Sequence, residues 1–106
     1  MTWTEFIHIR AHSDLEAKDI IAVFYQLSFP RPETNLADIS LYRSNNVVND
    51  FSIRLTWQGE SPKTEKSQLG YQLAEAFSKM GWINHTVWLR ETSLFLLNGR
   101  LADAKK

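Results

Sequence analysis

The sequence predicts an α+β domain of the ferredoxin-like type, a βαββαβ unit whose four-stranded antiparallel sheet carries two helices on one face. Three observations predict it. Four segments alternate apolar and polar residues with period two. Two segments space their apolar residues three and four apart. These segments follow one another as strand, helix, strand, strand, helix, strand. Residues 1–92 hold the pattern and form the expected domain, and residues 93–106 form a C-terminal tail.

The first strand covers residues 3–12, with Ile7, Ile9 and Ala11 on one face and Phe6, His8, Arg10 and His12 on the other. Ser13 and Glu16 then form a capping box. Ala17, Ile20, Ile21, Phe24 and Leu27 make the apolar stripe of a helix that must stop before Pro30 and Pro32. A second strand at 38–43 sets Ile39 and Leu41 against Ser40 and Tyr42, and a turn-rich stretch, Ser44 to Asp50, follows it. In the third strand, 51–58, Phe51, Ile53, Leu55 and Trp57 oppose Ser52, Arg54, Thr56 and Gln58. Ser61 before Pro62 predicts the start of a second helix, whose stripe is Leu69, Leu73, Ala76, Phe77 and Met80. Gly70 inside that helix costs about 1 kcal/mol against Ala, which predicts close packing on a neighbour. Gly81 is expected to end the helix in the left-handed conformation. The fourth strand, Asn84 to Thr92, places Val87 and Leu89 on one face and Thr86, Trp88 and Arg90 on the other.

Lys plus Arg and Asp plus Glu are equal at 12 each, so no net field draws the chain to nucleic acid or to an acidic membrane. The chain has no cysteine, which removes disulfides, thiolate nucleophiles and Cys-ligated metals. Met1 to Phe6 lacks the basic-then-apolar order of a signal peptide, and no apolar run reaches membrane-spanning length. A cytoplasmic protein is expected.

Two helices cover one sheet face. The face left open carries Phe6, His8, Arg10, His12, Ser40, Tyr42, Ser52, Arg54, Thr56, Thr86, Trp88 and Arg90. It reads as rich in arginine, histidine and aromatic rings and free of carboxylates, with Arg10 and Arg54 close together on the central strands. Guanidinium and imidazole groups suit an anionic ligand, and Phe6, Tyr42 and Trp88 offer flat apolar surface to a ring. Either His8 or His12 could serve as a general base near neutral pH. The two histidines stand about 13 Å apart along the strand, too far to share a metal, and none is expected. His85 has the opposite parity and reads as structural. RNA-recognition modules share this topology but stack bases on aromatics of the central strands; Ser52, Arg54 and Thr56 stand there instead, so no nucleic acid is expected.

The order of elements, together with Ile39-Ser40-Leu41-Tyr42-Arg43, a turn, and Asp50-Phe51-Ser52-Ile53-Arg54-Leu55-Thr56-Trp57, resembles the dimeric α+β barrel superfamily, in particular the proteins grouped with antibiotic biosynthesis monooxygenases. In that family a strand ending in Tyr-Arg, a short turn and a strand ending in Trp recur before the second helix. The resemblance covers residues 3–92. It implies a homodimer whose two open sheet faces meet around a pocket. The family includes cofactor-free oxygenases acting on aromatic polyketide-like substrates, haem-degrading enzymes, and members with no known activity. Haem-degrading members use a histidine on the second helix and an asparagine on the first strand. Residues 63–80 contain no histidine and the first strand no asparagine, so neither haem nor any other cofactor is expected.

Two classes of function remain open. One is a cofactor-independent monooxygenase-like enzyme, or a binder of an anionic aromatic small molecule, with Phe6, Arg10, Tyr42, Arg54, Trp88 and Arg90 holding the ligand and His8 or His12 as base. The other is a non-catalytic interaction or regulatory dimer in which the open face is simply the interface. The apolar run Leu94-Phe95-Leu96-Leu97 needs cover in either case, which places the tail at the expected dimer interface.

Overall fold

Strand alternation and helical spacing produce six elements, in the order β1 Thr2–Ala11, α1 Asp14–Tyr25, β2 Leu36–Arg43, β3 Asp50–Gln58, α2 Gln68–Phe77 and β4 Gly81–Leu89. The computed structural model describes residues 2–28, 35–59, 66–92 and 94. The strands form one antiparallel sheet in the order β2-β3-β1-β4, so β1 and β3 are central. This is the ferredoxin-like α+β architecture that the order of patterns predicts.

One face of the sheet is the core. Ile7, Ile9, Ile53 and Leu55 from the central strands are wholly buried, with Ile20 of α1 and Phe77 of α2 packed over them. Trp3 and Trp57, paired across β1 and β3, stack with ring centroids 5.4 Å apart. Trp57 is thus a core aromatic. Ile39, Leu41 and Val87 pack at the margin, but Leu89, expected on the same face and the last residue of β4, is 65% exposed. Ala76, assigned to the buried stripe of α2, is exposed as well.

The first helix starts where the capping box predicts. Ser13 accepts from the amides of Leu15 and Glu16, and its hydroxyl donates to the Glu16 carboxylate. Pro30 and Pro32 lie outside the described residues. The second helix starts later than Ser61-Pro62, which also lie outside them. Its cap is Ser67, whose Oγ accepts from the Gly70 amide at 2.8 Å. Gly81 is a second correction. The helix ends at Phe77 with Ser78 as its cap, and Gly81, not left-handed, opens β4 opposite Ala11. A Cβ at Gly81 would overlap the Arg10 carbonyl, so glycine is required by close strand approach rather than by a helix stop. The fourth strand therefore runs three residues ahead of the expected 84–92, and Arg90 follows its end.

Among the described residues, no helix is long and apolar enough to cross a membrane.

Candidate functional site: the open sheet face

Period two sends the even-numbered residues of β1, β3 and β4 to the side without helices. The register arranges them in rows across the sheet. Tyr42, Ser52, His8 and Asn84 form one row. Ser40, Arg54, Phe6 and Thr86 form the next. The face holds large exposed aromatics: Trp82 is 70%, Trp88 60% and Tyr42 44% exposed.

Charge is concentrated in two places. At the end where β3 begins, Asp50 pairs with Arg10 in the register and turns its carboxylate inward. Its Oδ1 lies 2.8 Å from His8 Nε2 and 3.4 Å from Arg10 Nε. The aspartate side chain is 12% exposed, whereas the imidazole is 42% exposed. A buried carboxylate that fixes one ring nitrogen leaves the rest of an accessible imidazole oriented toward the open face. Arg10 shares the same oxygen and places a cation beside the ring. His12 is held differently. It lies just past β1 and meets Trp82 edge-on at 5.3 Å, with no carboxylate partner among the described residues.

Toward the other end, a shallow depression of about 350 Å³ is lined by Phe6, Arg54, Thr56, Trp88 and Arg90. Arg54 stacks on the Tyr42 ring at 5.1 Å and reaches Asp38 at 3.6 Å. Its Nε is buried and has no hydrogen-bond partner among the described residues. Trp88 Nε1 donates to Thr86.

The structure brings Phe6, Arg54, Trp88 and Arg90 together, with Tyr42 behind Arg54, and brings His8 to Arg10. It corrects two expectations. The open face does carry acid: Asp50 and Asp38 supply carboxylates to three of its basic side chains. Parity was the signal, since each aspartate lies two residues before a serine already assigned to that face. Arg10 and Arg54 are also not neighbours. Arg10 pairs with Asp50 and Arg54 with Phe6, which separates the two arginines by four residues of strand, about 13 Å.

A second polar cluster lies on the helix side. Glu5 is wholly buried and accepts four hydrogen bonds: from Trp57 Nε1 at 2.9 Å, the Ser67 amide at 3.1 Å, the Ser67 hydroxyl, and His85 Nε2 at 2.8 Å. Tyr71 closes over His85 edge-on at 5.8 Å. Four donors fill the acceptor capacity of one carboxyl group. With no acceptor left over and no access to solvent, the cluster fastens the start of α2 to β1, β3 and β4. His85 is structural, as its parity predicts. Glu5 carries the same parity among Ile7 and Ile9, and a lone acid at a core position was the sequence signal for this cluster.

The fold is a ferredoxin-like α+β domain with one sheet face that no helix covers among the described residues. The chain is similar in structure to SnoaB, a cofactor-independent oxygenase from Streptomyces nogalater whose crystal structure is that of a mutant form. The TM-score is 0.53 at 12% sequence identity, over 88% of this chain and 96% of that one. At that identity the likeness is one of fold, and at that level the resemblance to antibiotic biosynthesis monooxygenase-like proteins holds. No family model matches the chain, and no curated protein matches it.

Proposed function

We propose that the protein is a homodimer whose open sheet faces enclose a cavity for an anionic aromatic small molecule, on which it acts as a cofactor-independent, monooxygenase-like enzyme. The observation that carries this reading is the His8–Asp50 contact at 2.8 Å, an accessible imidazole held by a nearly buried carboxylate on the sheet's open side. Oxygenation without a cofactor needs a base to take a proton from the substrate and leave a carbanion able to pass electrons to dioxygen. It also needs a cation to steady the oxygen that becomes negative. His8 fits the first role and Arg10 the second. His12, which has an aromatic contact in place of an acid, is the weaker candidate for the base. Arg54 and Arg90 suit the ligand's anionic group, and Phe6, Trp88 and Tyr42 its rings. Exposure supports dimerisation, because rings as large as Trp82 and Trp88, near the two ends of β4 on the open sheet face, need cover.

Thermal-shift screening of aromatic acids and quinols, followed by oxygen uptake with any that bind, tests the reading. A ligand that stabilises the wild type should stabilise Arg54→Ala less, and His8→Ala should keep binding but lose oxygen uptake. The same exposed tryptophans would also serve a non-catalytic dimer packed solid across this face. If no anion stabilises the wild type, or if Arg54→Ala changes nothing, that second reading stands.

A further inference from the structure

A cleft away from the open face runs between α1 and the β2 edge of the sheet. Its upper part, about 610 Å³, lies between the first half of α1 and the Ser44–Asn49 turn. Its lower part, about 470 Å³, lies between the second half of α1 and β2. The two parts are continuous, sharing Ile21, Arg43 and Phe51. Small-molecule sites occupy about 300–1,000 Å³, so either part is large enough. The wall formed by α1 from Asp14 to Tyr25 is about 17 Å long at 1.5 Å per residue.

The cleft is graded in polarity. Phe24, Leu41 and the ring of Tyr25 give the lower part its apolar surface, while the Tyr42 ring turns to the open face against Arg54. The upper part carries Lys18, Arg43 and the side chains of Asn45 and Asn46. Among the described residues neither Lys18 nor Arg43 has a carboxylate within ion-pair distance. Asp14 lies on the same wall, but its Oδ1 accepts from Asn49 Nδ2 at 2.9 Å. Two cations and one such acid leave a surplus of one positive charge at this end.

The upper wall is already shaped. Ser44 Oγ accepts from the amides of Asn46 and Val47 at 3.2 and 3.0 Å, and the Ser44 amide donates to the Asp50 carbonyl at 2.8 Å. Asn49 adopts φ +66°, a left-handed conformation that asparagine tolerates. Pre-ordering of this kind lowers the entropic cost of binding. Val48, 78% exposed, offers an apolar rim that the monomer leaves in water.

The geometry points to a second binding site in this cleft, for a small amphipathic monocarboxylate. The apolar chain lies among Phe24, Tyr25 and Leu41, and the carboxylate sits between Lys18 and Arg43. A single negative charge matches the surplus; a dianion would meet Asp14. The side chains that would hold the ligand, those of Lys18, Phe24, Tyr25, Leu41 and Arg43, are none of those proposed to act on the open face, so the site stands independently of the proposed reaction.

The test is titration of the full-length, 15N-labelled protein with octanoate below its micelle concentration. Octanol and octylammonium serve as the neutral and charge-reversed probes. Octanoate should shift the amides of Lys18, Arg43, Val47 and Val48 and bind about ten-fold tighter than either analogue, the worth of one good charge-assisted contact. Arg43→Ala and Lys18→Ala, both at exposed positions, should each weaken octanoate several-fold, whereas Arg54→Ala on the open face should not. Equal binding of octylammonium, shifts confined to Trp82 and Trp88, or no shifts at millimolar octanoate would each overturn the proposal.

Discussion

Replacing Glu5 by alanine removes the acceptor that four donors share. Trp57 Nε1 and His85 Nε2 are left on side chains with almost no access to water, and the Ser67 amide loses its partner at the start of α2. A buried donor without a partner costs about 1–3 kcal/mol. The losses do not add fully, because the alanine also relieves the burial of a carboxylate. Breaking a buried polar pair by deleting one member typically costs about 3–5 kcal/mol, and that is the expected range here. It is a large share of the roughly 5–15 kcal/mol that stabilises a domain of this kind. Urea denaturation followed by tryptophan fluorescence should show the midpoint of Glu5→Ala falling in proportion. Melting should drop by at least about 12 °C, at roughly 4–8 °C per kcal/mol. Glu5→Gln keeps the shape and half of the acceptor capacity and should fall between the two proteins. A loss below about 1 kcal/mol for the alanine variant would refute the reasoning, since it lies beneath the cost of one orphaned buried donor.

Gly70→Ala should destabilise in spite of the better helix propensity, because the new Cβ would overlap the Glu5 carboxylate and approach the His85 ring to 2.9 Å. Gly81→Ala should be worse, since its Cβ meets the Arg10 carbonyl and backbone cannot swing aside; comparable melting temperatures for wild type and the Gly81 variant would contradict the strand packing described above. Light scattering at micromolar concentration should report about twice 12.3 kDa, and Trp82→Asp with Trp88→Asp should return a folded monomer; a wild-type monomer would remove the enclosed cavity from the proposed function. Deletion of residues 93–106 should weaken that dimer or lower its solubility, because burying a side chain such as Leu or Phe is worth roughly 1.5–3 kcal/mol; an equally stable dimer would make the tail a passive extension.

The βαββαβ order was legible in the sequence because it rests on local rules. Period two reveals a strand whatever lies beside it, as with Phe51, Ile53, Leu55 and Trp57, and Ser13 with Glu16 marks a helix start from neighbouring residues alone. The same rules put Phe6, Tyr42, Arg54 and Trp88 on one face. Pairing between strands is another matter. Only the register shows that Arg10 meets Asp50 while Arg54 meets Phe6, so only the tertiary structure turns a face rich in arginine into two separate charged ends. Gly81 reads locally as a helix stop, yet the Arg10 carbonyl is what requires it, from 71 residues earlier in the chain. Glu5 and His85, 80 residues apart, could be seen singly as polar residues at core parity. That they share one buried hydrogen bond under α2 follows from the pairing of β1 with β4, which no local pattern specifies, because the partners of a backbone hydrogen bond between strands carry no mark in either strand's own sequence.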